Sequence, residues 1–204
     1  YIEFKKHGQC EDSGIGDLDS DGDIDYIANG GHVYFNPGRK ELRDPGKWIR
    51  MTLFRNEARN PVVSDIDGDG LNDLIVGARA WYRQPAANKH DAANWKRHEL
   101  GDAIWPMSCF VTDMDGDGDM DVLTASESKN SVYLFRNNGG KAFAREDIDN
   151  STAKGARDAH AADLDGDGDK DVVVAATPLA WYKNEGAGKF QKIILDPDGA
   201  QHVY

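Results

Sequence analysis

Asp113-Met-Asp-Gly-Asp-Gly-Asp-Met-Asp121 runs straight into Val122-Leu-Thr-Ala125, and this junction of an acidic turn with an apolar strand decides the fold. The same turn recurs at Asp17–Asp25, Asp65–Asp73 and Asp163–Asp171, with starts 48, 48 and 50 residues apart. Short carboxylates at positions 1, 3, 5 and 9 of such a turn can surround one hard cation, with the position-7 carbonyl and water completing an oxygen shell. Glycine at position 6 permits the sharp bend that aims them inward. The expected ligands are Asp17, Asp19, Asp21 and Asp25; Asp65, Asp67, Asp69 and Asp73; Asp113, Asp115, Asp117 and Asp121; and Asp163, Asp165, Asp167 and Asp171. The position-7 carbonyls belong to Asp23, Leu71, Asp119 and Asp169. The pattern predicts about four Ca²⁺ sites, one per repeat.

An EF-hand shares the early spacing, but its loop ends in a bidentate Glu at position 12 and lies between long helices. Position 12 here is Ala28, Val76, Thr124 or Val174, and no sustained helical periodicity flanks the turns. Strands flank them instead. After each turn comes an apolar strand: Tyr26–Ala28, Leu74–Gly77, Val122–Ala125 or Val172–Ala176. A second strand with an aromatic centre follows, as in Val33-Tyr-Phe35, Trp81-Tyr82, Val132-Tyr-Leu-Phe135 and Trp181-Tyr182. A third opens on Trp48, Trp95, Phe143 or Phe190, and short strands such as Pro61–Ser64, Cys109–Thr112 and Ala159–Ala162 precede the turns. Short runs rich in branched residues and bounded by turn residues form strands rather than helices. Four strands per repeat of about 48 residues make a propeller blade. Residues 1–204 therefore form one all-β propeller domain or fragment of about four four-stranded blades. Segment 83–94 is its longest irregular insertion, with room for a brief helical turn.

The formal net charge is -12, and nineteen of the 36 acidic residues lie in the four turns. Four Ca²⁺ ions would bring that charge to -4, so the acidity is read as ligation rather than as a disordered tail. No basic block is present to grip nucleic acid. No apolar run reaches transmembrane length and no signal peptide is visible, so membrane insertion is not expected. Calcium turns of modest affinity suit a secreted, extracellular or periplasmic setting, where the ion is abundant. Cys10 and Cys109 fall at different phases of their repeats and are read as free thiols, with one disulfide left open.

With turn, apolar strand and aromatic pair in the same order throughout, the chain resembles the FG-GAP/VCBS repeat family. That resemblance implies a calcium-binding β-propeller, commonly seven-bladed, of the kind found in integrin α-subunit heads, fungal and bacterial lectins, and polysaccharide lyases and dehydratases. It also implies the same ligands at the positions named above. The Phe-Gly-Gly-Ala-Pro sequence of one branch is absent before every turn, which places the resemblance nearer the VCBS branch. Tyr1-Ile-Glu-Phe4 resembles the last strand of a blade and Gln201-His-Val-Tyr204 the first strand of another. Hence a larger ring is expected, completed by further blades of the same protein or of another chain.

Beyond the ion sites the signals are sparser. His160, with Arg157 just upstream, lies on the strand before the fourth turn, where it could serve as an acid or base. Gly14, Val62 and Phe110 occupy the same phase elsewhere, so no ring of histidines exists and a structural role weighs more. Trp81, Tyr82, Trp181 and Tyr182 could stack on a sugar, although rings repeated at one phase also serve as spacers between packed sheets. The leading expectation is a calcium-stabilised recognition module with a carbohydrate or protein ligand, lectin-like in use. A sugar-directed lyase or dehydratase and a non-catalytic protein-interaction scaffold are the alternatives.

Overall fold

A computed structural model of the chain describes residues 13–28, 30–55, 60–101 and 106–199. Their sixteen strands form four antiparallel four-stranded sheets, each made of consecutive strands. Blade one contains β1 (Gly14–Gly16), β2 (Asp25–Ala28), β3 (His32–Phe35) and β4 (Ile49–Thr52). Blade two contains β5 (Val62–Ser64), β6 (Asp73–Val76), β7 (Ala80–Arg83) and β8 (Lys96–Glu99). Blade three is β9 (Phe110–Thr112), β10 (Asp121–Ser126), β11 (Ser131–Asn137) and β12 (Phe143–Asp149). Blade four is β13 (Lys154–Ala162), β14 (Asp171–Thr177), β15 (Leu179–Asn184) and β16 (Phe190–Asp196). These are blades of a β-propeller. Each acidic turn joins the first strand of its blade to the second, as the sequence leads one to expect.

The apolar layers lie between blades. Leu18, Ile27, Val33, Leu74, Val76 and Tyr82 fill the first interface. Ile66, Ile75, Trp81, Val122 and Phe135 fill the second. Met114, Leu123, Leu134, Val172, Val174 and Tyr182 fill the third. Burial of each such side chain contributes about 1.5–3 kcal/mol. Blades two and three are covered on both faces, so β6 and β10 are buried along their whole length, while β2 alternates. The first strands touch in chain order, β1 on β5, β5 on β9 and β9 on β13, and so form the inner edge of the array. Their approach is close enough to require glycine: a Cβ at Gly16 would lie 2.5 Å from Val63 Cβ.

The two end blades each leave one face bare. All the large hydrophobic side chains that are exposed among the described residues belong to them: Ile15, Ile24, Leu42 and Ile49 in blade one, and Leu164, Ile194 and Leu195 in blade four. Position 2 of the acidic turn makes the contrast plain. Leu18, Ile66 and Met114 are 0–2% exposed beneath the next blade, whereas Leu164, with no further blade over it among the described residues, is 50% exposed.

Two elements differ from the sequence reading. β13 starts five residues before Ala159, with a register irregularity between Lys154 and Asp158. A 3-10 turn at Glu127–Lys129 caps the hairpin between β10 and β11, in addition to the anticipated one at Ala92–Asn94. Tyr1–Phe4, Gln201–Tyr204 and Cys10 lie outside the described residues. Among the described residues Cys109 has no disulfide partner, and burial pushes its thiol up to about 12. No helix among them is long and apolar enough to cross a membrane.

Candidate functional site

The four acidic turns share one geometry, set largely by their own backbone. Position 6 is Gly22, Gly70, Gly118 or Gly168, with φ between 86° and 98°, a left-handed conformation that glycine adopts without strain. That bend directs loop amides back onto the position-1 carboxylate. Gly22, Gly70, Gly118 and Gly168 donate to Asp17, Asp65, Asp113 and Asp163 at 2.9–3.1 Å. The position-5 carboxylates of Asp21, Asp69, Asp117 and Asp167 accept from the position-7 amides at 2.9–3.0 Å.

Position 9 anchors each turn to the sheet. Asp25, Asp73, Asp121 and Asp171 are buried. One oxygen of each accepts from the position-2 amide of Leu18, Ile66, Met114 or Leu164 at 2.8–3.2 Å. The other accepts from the backbone of Asn36, Gln84, Asn137 or Asn184, at or just past the end of the third strand, at 2.7–2.9 Å. Desolvation outweighs these bonds at Asp25, Asp73 and Asp121. It raises Asp121, and takes Asp25 to about 6 and Asp73 to about 7, with neighbouring ladder carboxylates adding to the rise.

Oxygens from positions 1, 3 and 9 converge in every turn. Asp17, Asp19 and Asp25; Asp65, Asp67 and Asp73; Asp113, Asp115 and Asp121; and Asp163, Asp165 and Asp171 each place three carboxylate oxygens within 4.8 Å of one another. Positions 5 and 7 stand outside these sets. The side chains of Asp21, Asp69, Asp117 and Asp167 accept from amides of the turn itself, and Asp23, Leu71, Asp119 and Asp169 place no side-chain oxygen in the sets, the Asp119 carboxylate accepting from the Gly139 amide at 2.7 Å instead. The set nonetheless fits a hard cation. All its donors are oxygens, three charges are held together in part without water, and Asp19 Oδ1 is buried with no hydrogen-bond partner.

A side-chain amide stitches each turn to its surroundings, which the spacing of aspartates did not reveal. Asn36, Gln84, Asn137 and Asn184 donate to the position-8 carbonyl of their own turn, on Ile24, Asn72, Met120 and Lys170, at 2.7–3.1 Å. Gln84 and Asn137 also reach back to the previous blade, to the carbonyls of Leu18 at 2.5 Å and Ile66 at 2.6 Å. Asn72 adds a bond to the Asp17 carbonyl at 2.8 Å. One amide thus ties two consecutive turns together.

Two stretches that hold these acidic turns and the strands after them match known repeat descriptions. The FG-GAP repeat matches residues 59–92 and the FG-GAP-like repeat matches residues 113–174. The chain thus carries FG-GAP repeats. No curated protein matches it. Among solved structures it is similar to an Agrocybe aegerita lectin, described in work on specific recognition of non-reducing terminal N-acetylglucosamine. Identity is 21%, the match covers 90% of this chain and 52% of the lectin, and the TM-score is 0.60. The FG-GAP chain thus spans about half the lectin's length, and the likeness is one of fold. The Vibrio cholerae biofilm matrix protein Bap1 also matches, at 17% identity and a TM-score of 0.46, over 93% of this chain and 27% of that protein.

The other candidates are dispersed through the FG-GAP blades. Trp81, Tyr82 and Tyr182 do not present ring faces to a ligand, because all three are buried between blades. Trp81 stacks on His98 and Tyr82 on Phe54, with centroids 4.4 and 5.5 Å apart. The Tyr182 hydroxyl donates to Asp149 at 2.7 Å. Trp181, half-buried on the bare face of blade four, has a buried Nε1 without a partner. His160 and Arg157 are exposed and do not converge: His160 pairs with Asp158 at 3.1 Å, and Arg157 with Glu127 at 2.8 Å.

Proposed function

We propose that this chain is a calcium-stabilised recognition module of a secreted or periplasmic protein, and that its ligand is carbohydrate. Three converging carboxylates per turn and the orphaned Asp19 oxygen support the ion. When bound, it would neutralise a cluster in which burial, with neighbouring carboxylates adding to it, pushes Asp25 and Asp73 towards protonation. Asp17, Asp19 and Asp25 and their counterparts would hold it. The absent Phe-Gly-Gly-Ala-Pro sequence favours the VCBS branch of the family.

The pocket between blades three and four carries the ligand reading. It encloses about 600 Å³ and is lined by Asp115, Arg136, Glu146, Asn184 and the turn Gly186–Gly188. Arg136 is fixed there by Asp115 at 2.8 Å and Glu146 at 2.7 Å. Glu146 Oε1 is buried with no hydrogen-bond partner, and an unpaired acceptor of this kind is relieved by a ligand hydroxyl. Gly188 packs directly against that oxygen, and a Cβ there would lie 3.1 Å from it. A polyhydroxylated ligand would meet a fixed guanidinium beside an unpaired carboxylate oxygen, and a fold shared with a lectin makes glycans the first class to test.

A glycan-array screen in calcium, followed by titration calorimetry of the best ligand, tests this reading. Glu146→Gln is expected to weaken binding at least about tenfold, the scale of one hydrogen bond to a charged group, in a chain that still folds cooperatively. Absence of any glycan ligand, or full affinity in the variant, rejects it. The bare faces of blades one and four support further blades of the same repeat as their covering, from the same protein or another chain.

A further inference from the structure

The first acidic turn is braced differently from the others. Asp67, Asp115 and Asp165, at position 3, pair with a cation from the third strand of their own blade: Arg83 at 2.9 Å, Arg136 at 2.8 Å and Lys183. That cation immediately precedes the bridging amide in sequence, and in blade one its place is taken by Phe35. Asp19 is held instead from blade two. His90 Nε2 lies 2.8 Å from Asp19 Oδ2, and the Lys89 ammonium donates to the Asp19 carbonyl. The His90 ring packs on Phe35 with centroids 4.4 Å apart, so the residue replacing the cation also seats the imidazole.

Both blade-two residues belong to the connection between β7 and β8. Trp95 Nε1 donates to the Lys89 carbonyl at 2.7 Å, and the Asp91 carboxylate accepts from the Ala93 amide at 3.1 Å. With Asp19 and Asp21, residues 87–91 wall an open depression of about 700 Å³. Asp19 itself is 5% exposed; its Oδ2 is taken by His90, while Oδ1 is buried and unpartnered. One oxygen is gripped from outside, and the other is left for whatever enters the cluster with Asp17 and Asp25.

We propose that blade two completes the divalent-cation site of turn one. His90 is a positioning residue that orients Asp19, and ion occupancy of turn one and order in segment 85–95 form a single coupled event. This rests on the cation reading above. Partners of a ligating carboxylate fix its orientation, and their loss weakens metal binding about 10- to 100-fold. In turns two to four the brace sits on a strand already paired in its own sheet, so occupancy there orders no additional segment. In turn one the brace is a long connection that packs Trp95 and Ala92 into the apolar layer it shares with blade one, while its polar grip on turn one is made by His90 and Lys89 on Asp19.

Hydrogen-exchange mass spectrometry of the whole chain during a calcium titration tests the coupling. Amides in 85–95 are expected to gain protection at the same calcium concentration as those in 17–25. In His90→Ala the 17–25 midpoint is expected to rise about 10- to 100-fold, and 85–95 to stop responding, with 113–121 and 163–171 unmoved. His90→Gln, which keeps an N–H donor of similar reach, is expected to restore the response. A segment 85–95 indifferent to calcium, or an unmoved 17–25 midpoint in His90→Ala, overturns the proposal while leaving the cation reading intact if the other turns respond. Silence of all four turns overturns both.

Discussion

Removing the ions is expected to destabilise the chain far more at neutral than at mildly acidic pH. Burial raises the carboxyls of Asp25 and Asp73 from the usual 3.8 to about 6 and about 7. A carboxyl with a folded value above its unfolded one favours the fold when protonated. Its contribution is complete below about pH 4 and is lost as pH rises through the folded value. For Asp73 that loss comes to about 4 kcal/mol above neutrality. Ion binding requires the opposite protonation state and at a hundredfold excess over Kd contributes about 2.7 kcal/mol per site, or about 11 kcal/mol for four. That is comparable with the whole stability of a typical domain, about 5–15 kcal/mol. At about 2–4 °C per kcal/mol for a chain of this size, chelation near pH 7.5 should lower Tm by about 20–40 °C. Near pH 5.5 protons compete with the ion and support the metal-free fold, so the gap between the calcium and chelator scans should narrow. Differential scanning calorimetry in both conditions at both pH values measures this. A transition indifferent to chelator at the higher pH refutes the ions, and a chelated protein equally stable at both refutes the buried position-9 carboxyls.

Other perturbations probe the interfaces. Asn137→Leu leaves the carbonyls of Ile66 and Met120 without their donor, and urea denaturation should show a loss of about 2–3 kcal/mol. Gly140→Ala places a Cβ 2.2 Å from Asp67 Cβ at a φ of 67°; it should destabilise by about 1–3 kcal/mol and weaken calcium binding at turn two in isothermal titration. Burial opposes the charge on Asp149, but hydrogen bonds from Thr152, Tyr182 and Lys192 outweigh it and hold the carboxyl below the usual range. Its contribution is therefore present above about pH 4 and lost as pH falls further. Tyr182→Phe should cost about 1–2 kcal/mol at pH 7 by denaturant titration, and less in acid.

The blade pattern was legible because its signals are local. A turn with glycine at position 6 and an apolar run after position 9 fix the junction of the first two strands without distant information. The aromatic pairs marked the third strand but not its exposure, since period-two alternation does not say whether another sheet lies beyond. Tyr82 and Tyr182 are buried because neighbours cover them, and Trp181 stays half-open where none does. The bridging amides were hidden by variable spacing. They follow the position-9 aspartate by 11 residues at Asn36 and Gln84, 16 at Asn137 and 13 at Asn184. Hairpin length changes that offset, while strand pairing returns each amide to the same place. The grip of His90 on Asp19 joins residues 71 apart, a pairing that no periodicity announces.

Because the apolar layers are shared between sheets, no single unit owns a core. Each inner sheet supplies half of two junctions, and every junction uses the same chemistry: a position-2 side chain tucked under the next sheet, and in two of the three an amide reaching back. Inserting or deleting one stretch of about 48 residues would therefore rebuild a junction of the kind already present. Tandem duplication could lengthen or shorten such an array with little need for compensating change elsewhere, whereas a cut inside a unit would strand two half-layers at once.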